Sequence, residues 1–243
     1  MNNLLAKKTR KLFYNEYPYK IIARVPNASF LRVWSIPDII DWCLSGTGVN
    51  PSRSTYSLSS MFHQNRFHQP RVPTQQDRDK LLQFCTILSN FSNKNIKFRT
   101  ERSTIGIFLK DKVSYGSVAL ELEDFITELW EPENDDVLSL LLNKKKTIIC
   151  NEYPHGIYKY KVTLKPFKGS NGISMLSWID KYPAEKLLIS DASRKYMEEN
   201  HPYADPWLYV SDEKMVMMIN FACSGNVRRC EEFVLRSSIN TSS

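Results

Sequence analysis

A chain of 243 residues with 42% hydrophobic and 24% charged side chains is long enough for one large domain or two small ones, and its balance excludes wholesale disorder. With only 8 glycines and no Walker or dinucleotide glycine pattern, it is a poor match to folds that cradle phosphates in glycine loops. The net charge of +7 points toward polyanions and is unevenly placed: residues 1–112 carry +11, residues 113–136 carry −8 and residues 137–243 carry +4.

Tyr14 to Lys20 running into Ile21-Ile22-Ala23-Arg24-Val25 alternates as a half-buried strand does, with Pro18 at its beginning. A short helix is expected from Ser35 to Leu44, started by Ser35 and Pro37 and stopped by Gly46. Residues 45–76 are rich in Ser, Asn, Gln, Pro and Arg and read as a long loop, beyond the usual length in a compact domain. Asp77 to Phe91 is expected to be helical, with an apolar stripe of Leu81, Leu82, Phe84, Cys85 and Leu88. Ile96 to Lys110 reads as two short strands, and Val113 to Leu129 as a helix in which an acidic run begins. Glu131 to Asp136 breaks that pattern and reads as a linker.

Beyond it the earlier order returns. Asn151-Glu152-Tyr153-Pro154 repeats Asn15-Glu16-Tyr17-Pro18, and the strand Tyr158-Lys159-Tyr160-Lys161-Val162 echoes Tyr19-Lys20-Ile21. A helix over Ile173–Ile179 carries Trp178 as the earlier one carries Trp42. Trp207 to Asp212 echoes Ile107 to Asp111, and a last helix is expected over Glu213–Leu235. Four elements recurring in order indicate internal duplication. The expected fold is α+β: two tandem strand–helix–strand–helix units forming two-layer α/β sandwiches, residues 1–136 with the long basic loop 45–76, and residues 137–243.

The succession Asn-Glu-Tyr-Pro, a Tyr/Lys strand, a Trp-bearing helix and Tyr209-Val210-Ser211-Asp212-Glu213-Lys214 resembles tandem-unit α/β proteins of tailed phages of aquatic bacteria. The resemblance covers most of the chain through short motifs. It implies a viral origin, with an accessory or virion role, and brings no assigned chemistry.

The leading candidate interface is the loop, where Arg53, Arg66 and Arg71 mingle with Tyr56, Phe62, Phe67, His63 and His68, with no acid between Asp41 and Asp77. Cations neutralise phosphates and flat rings stack on bases, so the mixture suits single-stranded DNA or RNA, joined by Lys7, Lys8, Arg10 and Lys11. The bland alternative is a solvated loop whose rings tuck against a neighbouring helix. The Tyr/Lys strands offer a second candidate, set against ordinary packing of the tyrosines beneath helices.

His63, His68, His155 and His201 are too dispersed for metal spacing, and Cys43, Cys85, Cys150, Cys223 and Cys230 form no paired short spacing. No cofactor is expected, and an enzyme is the minority reading. Reduced cysteines suit a cytoplasmic setting, the host cytoplasm or a virion if viral, and no apolar run is long enough for a membrane span. The rival to nucleic-acid binding is a virion-structural or protein-interaction module, with a protein partner or homo-oligomer formed through Glu121, Glu123, Asp124, Glu128 and the Met-rich helix.

Overall fold

A computed structural model describes residues 6–32, 34–45, 74–91, 96–101, 103–167, 171–223 and 225–239. The chain divides into two compact units, one built from Met1–Thr9 and Glu16–Glu133 and the other from Arg10–Asn15 and Asn134–Ser243.

In the first unit β1 (Lys7–Lys8), β2 (Tyr19–Arg24), β3 (Ile96–Glu101), β4 (Thr104–Leu109) and β5 (Ile126–Glu131) form one sheet in the order β1-β5-β2-β4-β3. Among the described residues only β1 and β5 run parallel. Strand β2 alternates as its sequence predicts, with Tyr19, Ile21 and Ala23 buried on one face and Lys20, Ile22 and Arg24 on the other. Helices α1 (Ile36–Ser45), α2 (Gln75–Ser89) and α3 (Lys112–Glu121) supply Ile39, Trp42, Leu81, Phe84, Leu88, Tyr115 and Val118 to the core with Ile21, Ile107 and Leu109. Each fully buried Leu, Ile or Phe here stabilises by roughly 1.5–3 kcal/mol. Helix α2 starts in a capping box: Thr74 accepts from the Asp77 N–H while the Asp77 carboxylate accepts from the Thr74 N–H.

The second unit adds α4 (Asp135–Asn143), β6 (Thr147–Cys150), β7 (Tyr160–Leu164), α5 (Asn171–Ile179), β8 (Leu187–Ile189), α6 (Asp191–Glu198), β9 (Trp207–Val210), α7 (Glu213–Ala222) and β10 (Val227–Leu235). Its sheet runs β6-β10-β7-β9-β8, again with one parallel pair, β6 and β10. Helices α5, α6 and α7 cover the face carrying Val162, Leu164, Leu208 and Val210. Helices α5 and α6 approach so closely that a Cβ on Gly172 would run into the Met197 carbonyl oxygen.

Strand for strand, the two sheets have the same order, which establishes the duplicated α+β, two-layer architecture. The register agrees as well: Lys20 lies opposite Phe108, Lys161 opposite Tyr209, and three residues beyond each aromatic an aspartate caps a helix. Asp111 accepts from the Ser114 N–H at 2.7 Å and Asp212 from the Met215 N–H at 2.9 Å.

Two expected helices are too long. The stretch from Val113 to Leu129 is helical only to Glu121; a 3-10 turn over Glu123–Phe125 then leads into β5, which fills the place between β1 and β2. Likewise the stretch from Glu213 to Leu235 is helical to Ala222, and beyond Gly225, in the left-handed region at φ 81°, it becomes β10. In both, ladder hydrogen bonds from two neighbouring strands outweigh local helix propensity. The expected linker is also ordered, because Glu131 ends β5 and Asn134 caps α4 by accepting from the Val137 N–H.

Candidate functional site

The first sheet has helices on one face; its opposite face carries a row that sequence reading did not assemble. Lys7, Trp130, Lys20, Phe108 and Lys97 are successive register partners across all five strands. Cations and rings alternate along the row, which spans about 19 Å at ordinary strand spacing. The Lys7 ammonium lies 5.2 Å from the Trp130 ring centroid, and the Lys20 ammonium lies 5.6 Å from Phe108 and 5.9 Å from Trp130. Gly106 makes room for this: a Cβ there would come within 3.2 Å of the Phe108 ring. Phe108 is only 5% exposed and forms a floor, whereas Trp130 is half-buried.

The adjoining row places Glu128, Ile22, Gly106 and Arg99 in register. Glu128 accepts from Lys7 at 3.0 Å and from the Trp130 indole N–H at 2.9 Å. The Lys7 contact is the main cause that holds the Glu128 carboxyl below its usual range. Burial also lowers the proton affinity of Lys20, there by disfavouring the charged form. Arg99 pairs with Glu101 at 2.8 Å, both well exposed.

The second sheet's opposite face is built from the same strand positions with different chemistry. Glu231 on β10 lies in register with Lys161 on β7, which faces Tyr209 on β9. The Glu231 carboxylate is 2% exposed and is approached by Lys11 Nζ at 3.3 Å and Arg229 Nε at 3.2 Å. The Arg229 contact is close enough for an ion pair but misaligned for a hydrogen bond, leaving Arg229 Nε and Glu231 Oε2 unsatisfied among the described residues. Lys161 Nζ sits 4.5 Å from the Trp207 ring centroid, and Tyr209 stacks on Tyr158 at 5.8 Å.

The sequence-derived residues fall into three places. Lys7 and Lys8 lie on β1, where Lys8 pairs with Glu131 at 3.1 Å. Arg10 and Lys11 belong to the second unit, so the basic N-terminal cluster is split between the units. Arg53, Tyr56, Phe62, His63, Arg66, Phe67, His68 and Arg71 lie outside the described residues. In the Tyr/Lys strands the tyrosines pack: Tyr19 is 4% exposed and stacks on Tyr115 of α3 at 5.0 Å. The rings that accompany the lysines come instead from β4, β5 and β9, through Phe108, Trp130 and Trp207. The alternating pattern around Phe108 and Trp207 is the available signal, whereas Trp130 falls between the expected helix ending at Leu129 and the expected linker starting at Glu131.

Other chemistry finds little support. Burial raises all five thiols, Cys85 to about 12 and Cys223 to about 11, opposite to what a nucleophilic thiolate needs. Among the described residues no group of three His, Cys, Asp or Glu side chains could hold a metal ion, and no helix is long and apolar enough to cross a membrane. Comparison with family models, curated proteins and solved structures finds no match to this chain.

Proposed function

We propose that this protein binds single-stranded nucleic acid through the open sheet face of its first unit. Phosphates are met by Lys7, Lys97 and Arg99, and a base stacks at Trp130. The observation that carries this reading is the Lys–Trp–Lys–Phe–Lys row in register across five strands. Phosphate contacts supply affinity on such a surface, and stacking on a ring adds about 1–3 kcal/mol per base without demanding a sequence. The carboxylates Glu128 and Glu101 do not forbid it, because exposed ion pairs are worth about 0–1 kcal/mol and exchange readily for phosphate. An accessory or virion role, implied by the phage resemblance, belongs to the same proposal.

Fluorescence anisotropy with labelled oligo-dT and oligo-U across a salt series tests it. Affinity is expected to fall with salt, and Lys97→Gln and Arg99→Gln are each expected to flatten the logarithmic salt slope by about 0.7. Binding that is absent, or equally tight in high salt, contradicts the proposal.

A second reading, a protein-interaction module, has its own observation. Leu120 on α3 and Phe221 on α7 occupy equivalent places, nine residues after the two capping aspartates, and are 70% and 84% exposed. Light scattering coupled to sizing checks it: a stable homo-oligomer lost in Leu120→Ser or Phe221→Ser favours this reading.

A further inference from the structure

We infer that Lys11, Lys161 and Arg229 of the second unit form a binding site for a phosphate ester. The inference uses none of the side chains assigned to nucleic-acid binding in the first unit and goes beyond that reading.

Charge is the first argument. Three cations gather around one carboxylate, Glu231, while Glu232 pairs with Lys144 at 3.7 Å and Asp205 pairs with Arg228. A group of this kind retains positive charge that an anion would neutralise. Orientation is the second. The Arg229 guanidinium reaches Glu231 only through its buried Nε, off-axis, while the side chain is 39% exposed and no described residue accepts from its terminal nitrogens. An unsatisfied guanidinium N–H is costly, and a phosphate oxygen is the acceptor that guanidinium geometry fits well.

Preorganisation is the third. Glu231 is buried on the sheet face, opposite Lys161 of β7, and it holds the cations in place before any ligand arrives. Lys161 is desolvated, and its neighbours Lys11 and Arg229 oppose its charge while Glu231 supports it. A bound anion relieves that repulsion. The half-buried Trp207 ring beneath Lys161 offers an apolar flank to an ester substituent. Finally, Lys161 stands at the place of Lys20 in the duplicated fold, so a desolvated lysine over a ring recurs on the corresponding face of each sheet.

The test titrates the full-length chain with inorganic phosphate, a 5′-mononucleotide and oligo-dT by calorimetry, against chloride at matched ionic strength. Lys11→Gln and Arg229→Gln change side chains that are nearly half exposed, and thermal unfolding confirms that both variants fold. Each is expected to weaken phosphate binding about tenfold, the loss of one charge-assisted hydrogen bond. The Lys97→Gln, Arg99→Gln double variant, which removes phosphate contacts of the first-unit face, is expected to leave inorganic phosphate binding intact, and this separates the two sites. If the variants weaken phosphate and mononucleotide alone, the ligand is a free phosphate ester; if they also weaken oligo-dT, it is the nucleic-acid backbone. Phosphate binding no better than chloride, or unchanged in both variants, overturns the inference.

Discussion

The two units lay one strand order beneath two different polar surfaces. On the first, Glu128 remains a third exposed and the cations are strung out between rings along a row. On the second, Glu231 is buried and the cations converge on it. The same backbone thus distributes positive charge in one copy and focuses it in the other: opposite the shared lysine, β5 carries Trp130 in the first unit and β10 carries Glu231 in the second. Distributed charge suits an extended polyanion, whereas focused charge suits a single phosphate.

The comparison breaks most severely if the cores are not equivalent supports for these faces. Phe84→Ala removes a fully buried ring from the first core and is expected to cost about 3–5 kcal/mol, read by chemical denaturation. Trp130→Ala comes next, with a loss of about 1–3 kcal/mol in oligonucleotide affinity and an unchanged stoichiometry. Smaller again are the two caps. Asp111→Ala and Asp212→Ala are each expected to cost about 1 kcal/mol, and nearly equal values would sharpen the claim of duplication, because each accepts from the third residue of its helix.

The smallest effect concerns pH. Lys7 holds the Glu128 carboxyl below its usual range, so this group contributes stability at pH values above the unfolded carboxyl's 4.5. That contribution is lost as pH falls through the depressed folded value. Lys7→Gln should shrink the acid dependence of the melting temperature, modestly, because both partners are partly exposed.

The duplicated frame was legible because its signals are local: Asn-Glu-Tyr-Pro, the Tyr/Lys strands and the aspartates that begin α3 and α7. The stripe Leu81, Phe84, Cys85 and Leu88 likewise follows from helical spacing alone. Illegible were β5 and β10, whose residues continue a helix-like pattern and become strands only because neighbouring strands supply hydrogen-bond partners. That error concealed the candidate site, since Trp130, Glu128, Arg229 and Glu231 all lie on those two strands. The lysines could be read; the rings and carboxylates that frame them needed the sheet order.

The central claim is that the row across the first sheet binds nucleic acid. The most direct measurement is oligo-dT anisotropy as a function of salt for the parent chain and for a Lys97→Gln, Arg99→Gln, Trp130→Ala triple variant. The account predicts salt-sensitive binding by the parent, a slope flatter by about 1.4 and at least a tenfold loss of affinity in the variant. Equal affinity and equal slope in the two proteins would contradict it.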